Sequence, residues 1–335
     1  MTAAPQAARL ALVRQVAART MQLHFRMWRF GESIALRGLM NTSRMTGDPG
    51  PLAYSLALLR AYLASGVAKS PLEHIAPATE LVMAYEITGQ TEFLEAAKKR
   101  AEMHAACPTN IFGARIHRTD LSGWDRQIWV DCLDVDPPFL AKLGSVTSDD
   151  RYFDQSASEA ISYCRSLQDE DTGLLFHGFE EHCGRNGQLW ARGNGWAIMG
   201  LVETLKFLPS AHSNYEELQQ RLHTLCRALA GYQHSEGLWH TLVLQEETYL
   251  EATLATMAAF ALREAFSAKI LREGEFGEME RRARFAALQQ VSVDGTLALV
   301  SDATPVGEIK LYASRPFGVF PWGQGPLLLM ITQEF

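Results

Sequence analysis

The chain has 335 residues, 47% of them hydrophobic, and a formal net charge of -7 at pH 7. This hydrophobic fraction is ample for a large core, and scattered Lys and Arg residues in an acidic chain argue against nucleic-acid binding. No Pro-, Gly- or Ser-rich tract and no block of like charges divides the sequence. These features predict one compact domain over residues 1–335.

The cysteines and the N-terminus bear on the compartment in which the protein works. Five cysteines are widely spaced without a C-x-x-C pair, which argues against a disulfide framework or a zinc ribbon. Residues 1–25 resemble an amphipathic helix and contain no apolar run typical of a signal peptide, and no window approaches the roughly 20 apolar residues of a membrane span. We therefore expect a cytoplasmic protein with no membrane partner. No sequence feature indicates an oligomeric state.

Hydrophobic periodicity predicts helices along almost the whole chain and very little of the alternation typical of half-buried strands. The predicted helices cover residues 5–24, 29–46, 51–65, 74–88, 91–106, 131–146, 150–168, 194–208, 213–233, 249–268, 276–289 and 323–334. Short strands are predicted at residues 173–179, 237–243 and 296–300.

Three predicted helix junctions share a residue pattern, Thr followed by Gly or Ser and then by a polar residue: Thr46-Gly47-Asp48, Thr88-Gly89-Gln90 and Thr147-Ser148-Asp149. In each, Gly or Ser ends one helix and a polar residue begins the next. Their spacings of 42 and 59 residues are too irregular for an open solenoid. Irregular hairpins in a single domain predict an all-α fold, the (α/α)6 barrel or six-hairpin toroid, with a few short strands in rim loops. Active sites of such barrels are expected where the loops of one rim meet.

The segment from His117 to Asp136 is dense in aromatic and ionisable side chains. Asp131 follows Trp129 closely, in apolar surroundings that favour the protonated form of a carboxyl group, as a general acid requires. The alternative is a solvated loop whose last acid, Asp136, caps a helix that starts with Pro137. That alternative fits Asp136 better than it fits Asp131.

Two other segments offer candidate catalytic groups. Glu73 begins a predicted helix, where an acid also has the plain role of favouring the helix dipole. His177 lies between Phe176 and Phe179, where a structural histidine is the simpler interpretation. Neighbouring acids and histidines lack the H-E-x-x-H spacing of a helical metal site, so no metal is predicted.

The segment WARGNGW, residues 190–196, combines side chains that suit a sugar pocket. The indoles of Trp190 and Trp196 can cover the apolar face of a pyranose, and the guanidinium of Arg192 can fork onto a carboxylate or hydroxyls. Asn194 is a further candidate for substrate binding, as is Trp129 in the preceding loop. The alternative is that both tryptophans belong to the core and that Asn194 is a helix cap.

Five segments, in this order and spacing, resemble glycoside hydrolase family 105 and the related family 88. They are WVDCLDVDPPFLAKLG, GLLFHGFEEH, WARGNGWAIMGLVETLKFLP, YLEATLATMAAFAL and PFGVFPWGQGPLLLM. The resemblance extends over nearly the whole chain, and its most specific parts are WARGNGW and the run that begins with WVD. It implies the (α/α)6 barrel and the activity of an unsaturated rhamnogalacturonyl or glucuronyl hydrolase.

The substrates implied by this resemblance are oligosaccharides, left by polysaccharide lyases, whose non-reducing end is a 4,5-unsaturated uronic acid. An aspartate hydrates the C4=C5 vinyl ether, and the product opens and releases the next sugar. The resemblance places this role on Asp131, with Glu73 where an aspartate is usual and with His177 as the active-site histidine. It also implies that Trp190, Arg192 and His117 line the pocket. No cofactor is implied, because the reaction needs neither redox chemistry nor a Lewis acid.

The chain departs from the family pattern after Asp131. Asp134 and Val135 stand where an aromatic residue and a methionine are typical, and Asp136 follows them. Acids so close to the site should repel a uronate unless they face elsewhere or bind sugar hydroxyls.

Two alternatives to the hydrolase stay open at this point. A sugar epimerase or isomerase on the same toroid would need histidines from the set His104, His182, His234 and His240 to converge. A non-catalytic sugar-binding protein would keep the pocket and lose activity through the changes around Asp134.

Overall fold

The computed structural model describes residues 3–25, 30–66 and 76–333. Its helices are α1 Ala3–Met21, α2 Phe30–Thr46, α3 Pro49–Ser65, α4 Ala78–Thr88, α5 Thr91–Ala105, α6 Cys132–Thr147, α7 Asp150–Leu167, α8 Ala191–Phe207, α9 Tyr215–Gly231, α10 Thr253–Ser267, α11 Glu273–Gln289, α12 Ile309–Ala313 and α13 Pro321–Thr332. Its strands are β1 Gln127–Trp129, β2 Gly178–Glu180, β3 Gly184–Arg185, β4 Trp239–His240 and β5 Leu250–Glu251.

Six of the helices form a closed inner ring. In order around the ring these are α2, α4, α6, α8, α10 and α13, and α13 packs against α2 to complete it. The helices α1, α3, α5, α7, α9 and α11 lie outside this ring. The described residues therefore form the predicted (α/α)6 barrel, and the prediction of an all-α toroid is confirmed. The short strands lie in the connections between helices.

The two rings differ in their sequence patterns because they differ in burial. Inner helices such as α8 and α10 are apolar around most of their circumference and are buried over nearly their whole length. Outer helices are amphipathic; in α9 the side chains of Leu218, Leu222, Leu225 and Leu229 form the buried stripe. A stripe at spacings of three and four residues matches a helix that buries one face only.

The three predicted helix junctions occur, and two of them carry the predicted side-chain cap, whereas Gln90 makes no side-chain cap at the third. Gly47, Gly89 and Ser148 have φ values of 72, 69 and 56 degrees, the left-handed conformation that ends helices. Asp48 and Asp149 then begin the next helices, and each side chain accepts a hydrogen bond from a backbone N–H two residues on.

The strand predictions were partly wrong. Residues 296–300 form no strand in the structure, and only Leu297 makes an isolated bridge, to Val291. β2 and β4 lie in or beside the other two predicted strands, whereas β1, β3 and β5 were not predicted. Three-residue strands contain too little alternation to be distinguished from loops by sequence pattern.

The capping role considered for Asp136 was wrong. Helix α6 begins at Cys132, with Asp131 at the N-cap position, and both Pro137 and Pro138 lie inside the helix. Pro137 has no N–H to donate to the carbonyl of Leu133, four residues earlier. That carbonyl packs closely against Gly200 of α8, where an added Cβ would lie 2.0 Å from the Leu133 oxygen.

The inner helices all run in one direction, since each is the second helix of its hairpin. Strands β1, β2 and β3 form an antiparallel sheet, and β1 and β3 immediately precede α6 and α8 along the chain. This arrangement gathers several loops at the N-terminal ends of the inner helices. No helix in the described part of the chain is long and apolar enough to cross a membrane.

Candidate active site

A cavity of about 140 Å³ opens at the N-terminal ends of the inner helices. Four indoles, those of Trp124, Trp129, Trp190 and Trp322, form much of its lining. Asp131 and Glu32 are the acids in the lining. The volume is below the roughly 300–1,000 Å³ typical of sites for drug-sized ligands, so the cavity suits one sugar ring with the rest of a chain outside.

The small sheet brings Asp131 and His177 together. Trp129 of β1 is paired with Gly178 of β2, and the backbone N–H of Val130 donates to the His177 carbonyl at 2.9 Å. As a result, Asp131 Oδ2 lies 3.4 Å from His177 Nε2. Both side chains are buried, and neither atom has a hydrogen-bond partner of good geometry among the described residues.

His177 is neutral in this setting. Burial lowers its pKa, the neighbouring Asp131 opposes that shift, and the charge of Arg192 lowers the pKa further. Its other ring nitrogen, Nδ1, lies 2.6 Å from the hydroxyl of Tyr312. The ring also packs against Trp190, with 4.4 Å between centroids, so His177 lies behind the aromatic wall and does not itself line the cavity.

His117 lines the cavity, as predicted from the resemblance. Its ring stacks on Trp129 with 4.2 Å between centroids and 13° between planes, and its Nδ1 lies 3.4 Å from the Cys132 sulfur. The Trp129 indole N–H donates to Gln127 Oε1 at 2.8 Å. These contacts fix the Trp129 ring as a flat, rigid wall beside Asp131.

Trp190 and Arg192 also line the cavity, but the Nη groups of Arg192 are not free to bind a carboxylate in bidentate fashion. Its Nη1 donates to Glu251 Oε1 at 2.5 Å and to Ser301 Oγ at 2.8 Å. Its Nη2 donates to the carbonyl oxygen of Asp302 at 2.9 Å. The expected bidentate contact with substrate through both Nη groups is therefore corrected. Arg192 instead holds the 301–304 segment, and its guanidinium carbon lies 4.4 Å from the Trp190 ring.

The structure does not place Asn194 or Trp196 in the cavity. Helix α8 begins at Ala191, three residues earlier than predicted, so both side chains belong to the helix and are buried. Asn194 Oδ1 accepts from the Leu175 N–H at 2.8 Å, and its Nδ2 donates to the Leu175 carbonyl at 3.0 Å. Asn194 therefore anchors the loop before His177, and Trp196 is a core residue.

The second acid predicted for the site, Glu73, lies outside the described residues. Glu32 of α2 lines the cavity and was not singled out from the sequence. The resemblance to the family begins at residues 28–32 of the sequence, and this position is the signal that could have found Glu32. Tyr312 had no such signal, because nothing in its local sequence indicates a functional loop.

The two acids that follow Asp131 face away from the cavity. Asp134 Oδ2 lies 3.7 Å from Arg37 Nη2, and Arg37 also pairs with Glu80 at 3.0 Å. Asp136 Oδ2 accepts a hydrogen bond from the Tyr163 hydroxyl at 2.7 Å. These orientations remove the predicted conflict between the extra acids and a bound uronate.

Asp134 should make the stability of the protein depend on pH. Burial, with help from neighbouring acids, raises its pKa from an ordinary 3.8 to about 6 although Arg37 opposes the shift. The folded protein thus keeps a proton that the unfolded chain has lost. The stabilisation that Asp134 gives is full below the pKa that this group has in the unfolded chain. It is lost as the pH rises to about 6, and the stability does not change further above that value.

As the pH rises from about 4 to about 7, we expect the free energy of unfolding to fall by about 3 kcal/mol through Asp134 alone. The measurement is urea unfolding of the wild type and of Asp134→Asn across that range. As the pH rises, the free energy of unfolding of the wild type should fall relative to that of Asp134→Asn. A difference that is independent of pH would contradict the shifted pKa.

One described cluster has metal-ligating side chains: His104, Asp136 and Glu159, whose ligand atoms lie within 4.8 Å of one another. These groups already bind protein partners, since Glu159 lies 2.7 Å from His104 Nε2 and accepts from Arg115 at 3.2 Å. A guanidinium beside the carboxylate opposes the binding of a cation. We therefore interpret the cluster as a buried structural network.

The histidines required for an epimerase are dispersed. His104 belongs to the buried network with Glu159, and His182 is exposed in the turn between β2 and β3. His234 and His240 pack together with 5.5 Å between ring centroids, but neither lines the indole-walled cavity. The structure gives no support to the epimerase alternative.

Comparison with known proteins identifies the family of the chain. The model of Glycosyl Hydrolase Family 88 matches residues 11–334. The chain belongs to glycosyl hydrolase family 88. It is therefore a glycoside hydrolase, as the sequence motifs predicted.

Relatives of this family 88 protein cover its full length. It is 24% identical to the unsaturated rhamnogalacturonyl hydrolase YesR of Bacillus subtilis (strain 168), over 96% of this chain and 93% of that protein. A structure described as a possible member of GH105 from Klebsiella pneumoniae is 25% identical, with a TM-score of 0.85 over 99% of this chain and 93% of that one. The unsaturated glucuronyl hydrolase of Bacillus sp. GL1 shares the fold, with 15% identity and a TM-score of 0.75 over 96% and 94% of the two chains.

Proposed function

We propose that this family 88 protein removes a 4,5-unsaturated uronic acid from the non-reducing end of lyase-generated oligosaccharides. The observation that carries the proposal is Asp131, buried in an indole-walled cavity sized for one sugar ring. The full-length relative named as an unsaturated rhamnogalacturonyl hydrolase supports rhamnose as the next sugar. We further propose that residues 1–335 act as one catalytic domain, since the first and last helices of the inner ring pack together.

In the proposed reaction, Asp131 is the acid and then the base. Its carboxyl group donates a proton to C4 of the vinyl ether, and positive charge develops at C5 and the ring oxygen. The resulting carboxylate takes a proton from water, whose oxygen bonds to C5. The hemiketal so formed opens to a ketone, and the hemiacetal left at C1 expels the next sugar. This sequence consumes one water and returns the proton to Asp131.

The cavity walls favour this chemistry in two ways. The unsaturated ring is flatter than a saturated pyranose, which suits stacking between indoles such as those of Trp129 and Trp190. The electron-rich faces of the indoles and the Asp131 carboxylate can both stabilise positive charge at C5.

Three further residues in or beside the cavity have supporting roles in the proposal. His177 directs a ring nitrogen at Asp131, and His117 braces Trp129 by stacking. Arg192 holds the 301–304 segment, part of which lines the cavity, and keeps the Trp190 indole in place.

The test is loss of the ultraviolet absorbance of the conjugated uronate. We expect the wild type to consume this absorbance with lyase-generated disaccharides from rhamnogalacturonan, and more slowly with those from glycosaminoglycans. The matched control is the saturated uronyl disaccharide of the same linkage, which should release no sugar because it has no vinyl ether to protonate. Binding of unsaturated disaccharides without loss of absorbance would contradict the proposal and favour a non-catalytic sugar-binding protein.

A further inference from the structure

Helix α12 contributes one buried contact to the site, and the proposed reaction gives this contact no role. Its Tyr312 side chain is fully buried, and its hydroxyl lies 2.6 Å from His177 Nδ1. The carbonyl of Tyr312 accepts a hydrogen bond from the Tyr249 hydroxyl at 2.9 Å. The short helix therefore holds this phenol against the histidine that faces Asp131.

The direction of the bond between Tyr312 and His177 follows from another partner of the phenol. Asn186 Nδ2 donates to the Tyr312 oxygen at 3.1 Å, and Asn186 Oδ1 accepts from the backbone N–H of Gly178, which fixes the orientation of the amide. An amide nitrogen only donates, so the phenol oxygen acts as acceptor toward it. Burial raises the pKa of Tyr312, which keeps its own proton in place. That proton is left for His177 Nδ1.

A neutral imidazole carries one proton, on one nitrogen or the other. Since Nδ1 of His177 accepts from Tyr312, the ring proton belongs on Nε2. Nε2 is the atom that lies 3.4 Å from Asp131 Oδ2. The opposite tautomer would turn a lone pair toward the carboxylate and leave two hydrogens facing each other between Nδ1 and the phenol.

We infer that Tyr312 is a positioning residue that fixes the tautomer of His177 and so points an N–H at Asp131. The N–H then faces Oδ2 of Asp131 across 3.4 Å, without good hydrogen-bond geometry in the free protein, and the other oxygen is the one left for proton exchange with substrate. The catalytic consequence rests on the proposed function, whereas the tautomer itself is a property of the free protein. The two can therefore fail separately.

The first measurement is nitrogen NMR of protein labelled with 15N-histidine. The His177 signals are assigned by their absence from His177→Gln. In the wild type we expect protonated Nε2 and unprotonated Nδ1. A wild-type His177 protonated on Nδ1 would overturn the inference, whatever any variant does. Tyr312→Phe should remove the preference and populate the second tautomer.

The second measurement is steady-state kinetics of Tyr312→Phe on the unsaturated disaccharide. We expect kcat to fall roughly 10- to 100-fold with KM little changed, the scale seen when a partner that orients a functional histidine is removed. The matched control is Tyr249→Phe, which removes a hydrogen bond to α12 and leaves the phenol on His177 in place. It should keep both the tautomer and kcat.

Two results would overturn the positioning role. One is a folded Tyr312→Phe protein that keeps the wild-type tautomer and kcat, and the other is an equal loss of kcat in Tyr249→Phe. A wild type that consumes no unsaturated uronide would instead contradict the proposed function, and the NMR result would still decide the role of Tyr312.

Discussion

Asp131→Asn should abolish most of the hydrolysis of unsaturated disaccharides while leaving their binding intact. An amide cannot give a proton to C4 or take one from water, and general acid–base catalysis contributes roughly 10²–10⁴-fold to rates. We expect kcat to fall by that factor with little change in KM, because Asn keeps the shape of the side chain. The measurement is the rate of absorbance loss at saturating substrate, beside direct titration of the variant with substrate.

The control for Asp131→Asn is Asp136→Asn. Asp136 is another buried acid of the same segment, but it binds the Tyr163 hydroxyl and does not line the cavity. Its amide variant should lose stability and keep hydrolysis. If the two variants lost activity equally, or if Asp131→Asn kept more than about a tenth of the wild-type rate, the assignment of Asp131 would be wrong.

Glu251→Ala should be among the most destabilising single substitutions in the chain. Glu251 is fully buried and pairs with Arg192 at 2.5 Å, and it also accepts from the Thr253 hydroxyl at 2.5 Å. Removing one partner of a buried ion pair leaves the other charge uncompensated and costs about 3–5 kcal/mol. We expect a loss of that size in the free energy of unfolding measured in urea. We also expect a raised KM, because the 301–304 segment loses its anchor.

Two variants give this prediction its controls. Glu251→Gln keeps the shape of the side chain and one acceptor oxygen, so it should lose less stability than Glu251→Ala. Glu95→Ala removes the acid of an exposed pair with Lys98 and should leave stability nearly unchanged, since water already solvates both charges. Equal effects of Glu95→Ala and Glu251→Ala would show that burial of the Arg192 pair has no energetic importance.

Much of the fold and part of the site were predictable from local pattern. Apolar stripes and left-handed junctions such as Gly47, Gly89 and Ser148 identify helices, because helix formation and termination depend on residues a few positions apart. Family motifs then led to Asp131, His177, Trp190 and the hydrolase family. These residues lie beside distinctive neighbours in the chain, so their signal is short-range.

Tertiary structure decided what each side chain contacts. Arg192 was predicted to bind a uronate through its fork, but Glu251, 59 residues away in the chain, and the 301–304 segment occupy both Nη groups. Asn194 was assigned to the pocket because the predicted start of α8 was three residues late, which placed a buried anchor in a loop.

The sequence by itself therefore determined the helical toroid and the family, and it singled out Asp131 as the acid of the proposed reaction. Only the tertiary structure decided the cavity walls, the turning of Asp134 and Asp136 away from the cavity, and the contact between Tyr312 and His177 across 135 positions of the chain. The physical reason is the range of the interactions. Periodicity and capping are local, whereas hydrogen bonds and ion pairs in a closed ring join residues that no local pattern connects.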